Sequence, residues 1–291
     1  MNDTLTLRND YLFKRLLGAE ENKACLQDFL ECVLDMPVGM IADLELLDKE
    51  LSKDAISDKT GILDVKLRLK DGTTIDIEIQ NSWSAEFIPR TLFYWSKMYI
   101  EGFKEGEPYT SLTRCIAINL ISQGFKLNSE VHSAYSIQEQ STHKPLTDLL
   151  EIHFLNLSAV KGTEIRQTVS TKKQEKLLNW LRFIETDDKE ERAMLAQENS
   201  MMTKASQVMD IFYLDEQERK RYEAAWEYES DRLSMISESE RKGLERGLAE
   251  GEARGSRQAK LETAAAFKRF GFDIDKIAEG TGLSREEIEK L

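Results

Sequence analysis

The chain has 291 residues, with 53 acidic side chains against 40 basic ones and a formal charge of −13. At 41% hydrophobic and 8% aromatic it can bury a sizeable core, and its three cysteines (Cys25, Cys32, Cys115) lack CxxC spacing, which excludes a zinc finger or a disulfide scaffold. No apolar run nears the roughly 20 residues of a membrane span, and MNDTLTLRND lacks a signal peptide's basic head and apolar run, so no membrane association and a cytoplasmic location are expected. Residues 8–35 read as helix, because Tyr11, Leu12 and Leu16, then Leu26, Phe29, Leu30 and Val33, recur at three- and four-residue steps. Gly18 marks a break in that pattern, and Pro37 with Gly39 ends it. The period then becomes two, predicting strands over 41–47, 62–69 and 73–80. A helix follows over 84–103, with Ile88, Leu92, Trp95 and Tyr99 on its apolar face, and three further strands over 115–121, 132–137 and 150–157. Helix, strands, helix and strands in this order give an α/β or α+β mixed-sheet core over residues 1–160.

Strand signals vanish beyond residue 161. A helical region is expected over 161–240, where Leu177, Leu178, Leu181 and Ile184 form one stripe. Gly243, Gly247, Gly251 and Gly255 follow at four-residue steps, so residues 241–260 form either a glycine-spaced helix or a flexible linker. As a helix, the glycines would trace a bare seam on which another copy's backbone could close, giving a homo-oligomer. Residues 261–291 form a small helical module, with Ile274, Ile277, Leu283, Ile288 and Leu291 as its core and Ser284 with Glu287 as a capping box. Three glutamates on its last helix suit a protein–protein or capping role better than reading of a DNA groove.

The chemistry is concentrated in residues 61–80, GILDVKLRLKDGTTIDIEIQ. A two-residue Asp-Gly loop would pair Leu69 with Thr74 and mix polar with apolar residues on each face. A three-residue loop, with Gly72 left-handed, instead pairs Leu69 with Thr73, Leu67 with Ile75 and Val65 with Ile77. The other face then sets Lys66 opposite Asp76 and Asp64 opposite Glu78, their Cβ atoms about 5 Å apart. Two facing carboxylates call for compensation, and a hard divalent cation such as Mg²⁺ supplies it while keeping waters for a phosphate substrate. Gln80 shares that face, so Asp64 with Glu78-x-Gln80 suits phosphodiester hydrolysis. The same alternation also describes a half-exposed strand with a solvated acidic face, and Lys66 with Asp76 reads as a surface pair.

The segment LDVKLRLKDGTTIDIEIQ, preceded by RNDYLFKRLLG and followed by RTLFYWSKMYIEG, resembles the recombination-promoting nucleases of the PD-(D/E)XK nuclease superfamily, often described as transposases. LTDLLEIHFLNL and the glycine-spaced tail extend the resemblance along nearly the whole chain. It implies an αβββαβ core that cleaves DNA with Mg²⁺ or another divalent cation such as Mn²⁺ or Ca²⁺, in recombination or the handling of foreign DNA. Asp64 and Glu78 match the metal-binding acids, and Gln80 stands where a lysine is usual. Leu63 replaces the motif proline, which matters little because only the carboxylate binds metal. Glutamine can orient an attacking water but cannot offset its charge, and Lys66 on the same face is expected to do so. Asp10 matches an auxiliary metal ligand on the first helix; the alternative is an acid placed by the helix dipole. Arg90, Tyr94 and Lys97, at i, i+4 and i+7, either hold a DNA phosphate or form an ordinary polar helix face. The acidic balance opposes phosphate binding globally, although a local groove can still be positive.

Overall fold

The structure, a computed structural model, describes residues 5–41, 43–47, 64–161 and 171–291. They fall into two compact units, Met1–Trp226 and Glu227–Leu291. The chain enters the first unit through two helices, α1 (Asp10–Leu17) and α2 (Lys23–Val33). The side chain of Asn9 accepts the N–H of Leu12 and so starts α1, and Gly18 closes it by donating to the carbonyl of Lys14. One face of α1 buries Leu12, Phe13, Leu16 and Leu17, and α2 buries Cys25, Leu26, Phe29 and Leu30 beside them.

Six strands follow: β1 (Leu44–Leu46), β2 (Val65–Leu69), β3 (Thr74–Gln80), β4 (Cys115–Ile121), β5 (His132–Ser136) and β6 (Leu150–Asn156). They form one mixed sheet in the order β1-β2-β3-β4-β6-β5. Neighbours are antiparallel from β1 to β3 and between β5 and β6, and parallel from β3 through β4 to β6. Parallel strands need a long crossover, and α3 (Phe87–Ile100) supplies it between β3 and β4. The expected strand bounds shorten to 44–46 and 65–69; residues 62 and 63, including Leu63, lie outside the described residues.

The two faces of the sheet differ. Val65, Leu67, Ile75, Ile77, Ile79, Ile116, Ile118 and Leu120 join one large core with α1, α2 and three later helices, α4 (Lys172–Glu185), α5 (Lys189–Glu198) and α6 (Ser200–Leu214). Trp180 of α4 is fully buried in that core, packs edge-on to Phe29 and donates its indole N–H to Asp28 at 2.8 Å. On the opposite face, Phe87 of α3 packs with Ala117, Ile121, Ile152 and Phe154, and Met98 packs with Cys115. The buried line of α3 is therefore Phe87, Thr91 and Met98, and the expected stripe is corrected: Leu92 is 45% exposed, while Ile88, Trp95 and Tyr99 are only partly buried. Because α3 lies over polar positions of β3 and β4, it buries a threonine where a hydropathy pattern looks for leucine.

The helix α7 (Glu216–Arg269) begins in the first unit, where the hydroxyl of Tyr222 accepts the N–H of Thr6. In the second unit α7 is followed by α8 (Ile274–Thr281) and α9 (Arg285–Glu289). Ala264, Ile277, Leu283 and Ile288 form the small core there, with Ile274 partly buried against it; Leu291 is 46% exposed and does not join it. Gly282, at φ +73°, closes α8 in the left-handed conformation, and Ser284 with Glu287 caps α9 reciprocally. The glycine-spaced segment is helical, and a Cβ on Gly243, Gly247, Gly251 or Gly255 would meet nothing within 4 Å. Among the described residues no helix is long and apolar enough to cross a membrane.

Candidate active site

The β2–β3 hairpin turns as its side-chain pattern requires. Leu69 donates its N–H to Thr73 at 2.8 Å, Gly72 donates to Leu69 at 3.0 Å, and Gly72 has φ +88°. That conformation favours glycine, and a Cβ there would also press on Thr113 at 3.1 Å. The register is Val65↔Ile77, Lys66↔Asp76 and Leu67↔Ile75. Continuing it by one residue brings Asp64, just before β2, level with Glu78. Oδ2 of Asp64 accepts the N–H of Ile79 at 2.9 Å, which fixes the carboxylate against β3.

Asp76, Glu78 and Gln80 alternate along β3 with the isoleucines of the main core, so they face the α3 side of the sheet. Asp64 is 7% exposed, Asp76 3% and Glu78 5%, whereas Gln80 at the end of the strand is half-buried. The surface pair expected between Lys66 and Asp76 is thus corrected. Both are buried, because α3 covers that face, and Lys66 pairs with Glu101 at 2.6 Å. One oxygen of Asp76, Oδ1, is buried without a hydrogen bond.

Cationic groups reach the acids from both neighbouring helices. From α1, the ammonium of Lys14 lies 3.0 Å from Oδ1 of Asp64 and 2.8 Å from Oδ2 of Asp10. Asp10 therefore joins the site through Lys14. From α3, Nη2 of Arg90 stands 3.9 Å from Oε2 of Glu78, with the guanidinium over the Phe87 ring at 5.2 Å. Tyr94 is partly buried one turn along, its hydroxyl pKa raised by burial and by the charge of Glu78. Lys97 carries its ammonium over the Phe93 ring at 5.9 Å. Arg90 and Tyr94 thus face the carboxylates from the underside of α3.

Burial sets the electrostatics. It pushes the Asp64 carboxyl up to about 6, with Asp10 adding to the rise and Lys14 opposing it. Glu78 rises to about 8 through burial and the nearby charge of Asp64, with Arg90 and Lys14 opposing. Asp76 is raised well above the ordinary range by burial, then by Glu78 and Asp64. Burial alone would lower Lys14, but Asp64 and Asp10 outweigh it and leave its pKa raised. The site holds more negative charge than its cations neutralise.

These donors fit a hard divalent cation. All are oxygens, the acids resist ionisation without compensation, and Asp76 has an orphaned buried oxygen. Among the described residues no three His, Cys, Asp or Glu side chains form a ready ligand set.

Asp76, Lys14 and Glu101 are the site residues that sequence reasoning missed. Asp76 was discoverable, since the chosen register sets it on the same face as Glu78. Lys14 had only its four-residue step from Asp10 as a signal, and nothing in the sequence announces its approach to a strand 50 residues away.

A family model described as PD-(D/E)XK nuclease family transposase matches residues 7–239. No curated protein and no solved structure matches the chain. The matched segment begins just before α1 and runs beyond the last strand, so it takes in every element that shapes the acidic cluster, and the chain belongs to the PD-(D/E)XK nuclease family transposases.

Proposed function

We propose that this protein is a divalent-cation-dependent DNA endonuclease that hydrolyses phosphodiester bonds. One observation carries the reading: Asp64 and Glu78 are buried beside each other at the end of a hairpin, and the guanidinium that faces Glu78 stands 3.9 Å away. Two such carboxylates would hold Mg²⁺, or Mn²⁺ or Ca²⁺ in its place, with Asp10 as an auxiliary ligand. When bound, the ion polarises a phosphoryl oxygen and lowers the pKa of a water.

The chain's own groups do the rest. The Gln80 amide, at the mouth of the strand, accepts from and donates to the attacking water and so orients it. Arg90, held by Phe87, meets the negative charge that develops on the phosphate, and Tyr94 with Lys97 extends this contact along α3. Lys66, tied to Glu101, lies opposite Asp76 in the hairpin and offsets its charge. With a divalent cation offsetting the surplus acids, Arg90, Lys97 and the ion together, rather than the net charge, would draw in DNA. Homo-oligomerisation through the C-terminal helices would bring two such sites to the two strands of a duplex, in recombination or the handling of foreign DNA in a cytoplasm.

Nicking of supercoiled plasmid tests this. The purified chain should nick with Mg²⁺ or Mn²⁺, and Asp64→Ala or Glu78→Ala should reduce nicking to background with the fold intact by circular dichroism. Gln80 favours a second reading, because it carries no charge where the wider superfamily usually places a lysine: a DNA-binding or assembly protein that does not cut. Plasmid binding without nicking in either cation would support that alternative, and strand-transfer products would mark a transposase.

A further inference from the structure

The proposed nuclease lacks a lysine beside Glu78, yet a lysine is present at the acids. It comes from α1 rather than from β3. The ammonium of Lys14 sits 3.0 Å from Asp64 and 2.8 Å from Asp10, and its side chain is 23% exposed. The base of this lysine is fixed, because α1 is capped by Asn9 and buries Leu12, Phe13, Leu16 and Leu17. Its tip is less confined. Asp10 is 52% exposed, so that ion pair opens to water, and the four-carbon stem gives the ammonium several directions.

The other cations are placed differently. Lys66 is 3% exposed and locked to Glu101 at 2.6 Å, opposite Asp76 in the hairpin. Arg90 is stacked on Phe87 and belongs to the Glu78 side. Lys14 instead pairs with Asp64, on the carboxylate oxygen that the Ile79 N–H leaves free.

We propose that Lys14 supplies the positive charge that Gln80 cannot: its ammonium neutralises Asp64 in the cation-free site, competes with the divalent cation for that carboxylate, and meets the scissile phosphate while Asp10 tethers it. This rests on the nuclease reading above. The competition follows from geometry, since Oδ1 of Asp64 cannot bind an ammonium and a metal ion at full strength together. The second task follows from charge. Beside a bound cation the ammonium is repelled from Asp64, and Oδ2 of Asp10, which leaves Oδ1 for the ion, keeps it near the position of the phosphate.

Full-length wild type, Lys14→Gln and Lys14→Arg test this in two measurements. Calorimetry follows Ca²⁺ binding without DNA, and plasmid nicking is followed at saturating Mg²⁺. Lys14→Gln should bind Ca²⁺ about fivefold more tightly, the effect of removing one competing ion pair. It should nick about 100-fold more slowly, as expected for loss of one charge-stabilising group. Lys14→Arg should restore part of the nicking and the weaker Ca²⁺ affinity. Tighter binding with slower nicking supports the proposal. Weaker Ca²⁺ binding with slower nicking would indicate a merely structural lysine and overturn it, as would unchanged nicking. A wild type that binds Ca²⁺ but never cuts defeats the nuclease reading and the phosphate role of Lys14 while leaving the competition measurable. Absence of Ca²⁺ binding in every form overturns both.

Discussion

Glu78 and Asp64 are acids held where water cannot stabilise their charge, and the sign of their effect on stability follows. Their folded pKa values, about 8 and about 6, lie above the ordinary values of 4.5 and 3.8. The folded chain therefore keeps protons that the unfolded chain has released. The resulting stabilisation is complete below about pH 4 and is lost as pH rises through about 6 and then about 8. The melting temperature of the cation-free protein should fall between pH 5 and pH 8.5. Glu78→Gln should flatten most of that slope and raise stability at pH 8 by on the order of 1–3 kcal/mol, a tenfold change in proton affinity being worth about 1.4 kcal/mol. A pH slope unchanged by Glu78→Gln would contradict the buried placement of this acid. His132 acts in the opposite sense. Its ring hydrogen-bonds His153 at 2.8 Å, and burial followed by the charge of His153 lowers its pKa to about 4. Its stabilisation is present above pH 6.5 and is lost as pH falls towards 4, so His132→Gln should remove part of the acid limb of the stability curve.

At the scale of elements, α4 closes the main core, and Trp180 is its most buried large side chain. Trp180→Ala should cost about 3–5 kcal/mol, through the lost burial, the cavity and the lost indole hydrogen bond to Asp28, which keeps Asn199 and Lys176 as partners, read from urea denaturation. The hairpin was legible in the sequence for a physical reason: alternation and the left-handed Gly72 together allow one register, and a slip by one residue would expose Val65, Leu67 and Ile75. The helix α3 was less legible. It packs on a sheet face that carries carboxylates, so it buries Thr91 and turns Arg90 inward while leaving Leu92 in water, the reverse of an ordinary amphipathic pattern. The same cover explains why Lys66 and Asp76 looked like a surface pair. Periodicity describes one strand at a time and does not say what lies above it. Lys14 escaped for a related reason, since its contact with Asp64 joins a helix to a strand across 50 residues of chain.

For the molecule as a whole, the −13 charge and the proposed DNA substrate are compatible only through local fields, and salt exposes them. DNA binding measured in Ca²⁺ should weaken steeply between 50 and 200 mM salt, and Arg90→Gln should reduce that slope by about one unit. In the second unit, Gly247 and Gly251 lie in open helix, where alanine is favoured by about 1 kcal/mol per site. Gly247→Ala with Gly251→Ala should therefore raise the thermal stability of the helical signal. A loss of stability together with a fall in mass by sedimentation would instead mark the seam as a surface on which another backbone closes.

Everything proposed for the site depends on Asp64 and Glu78 sharing one divalent cation. A crystal grown with Mn²⁺ and measured at the manganese edge tests this most directly. A shared ion requires an anomalous peak at about 2.0–2.2 Å from a carboxylate oxygen of each residue, with waters completing the shell and the Lys14 ammonium displaced from Asp64. A peak elsewhere, or the two acids still paired only with Lys14 and Arg90 at saturating Mn²⁺, would contradict it.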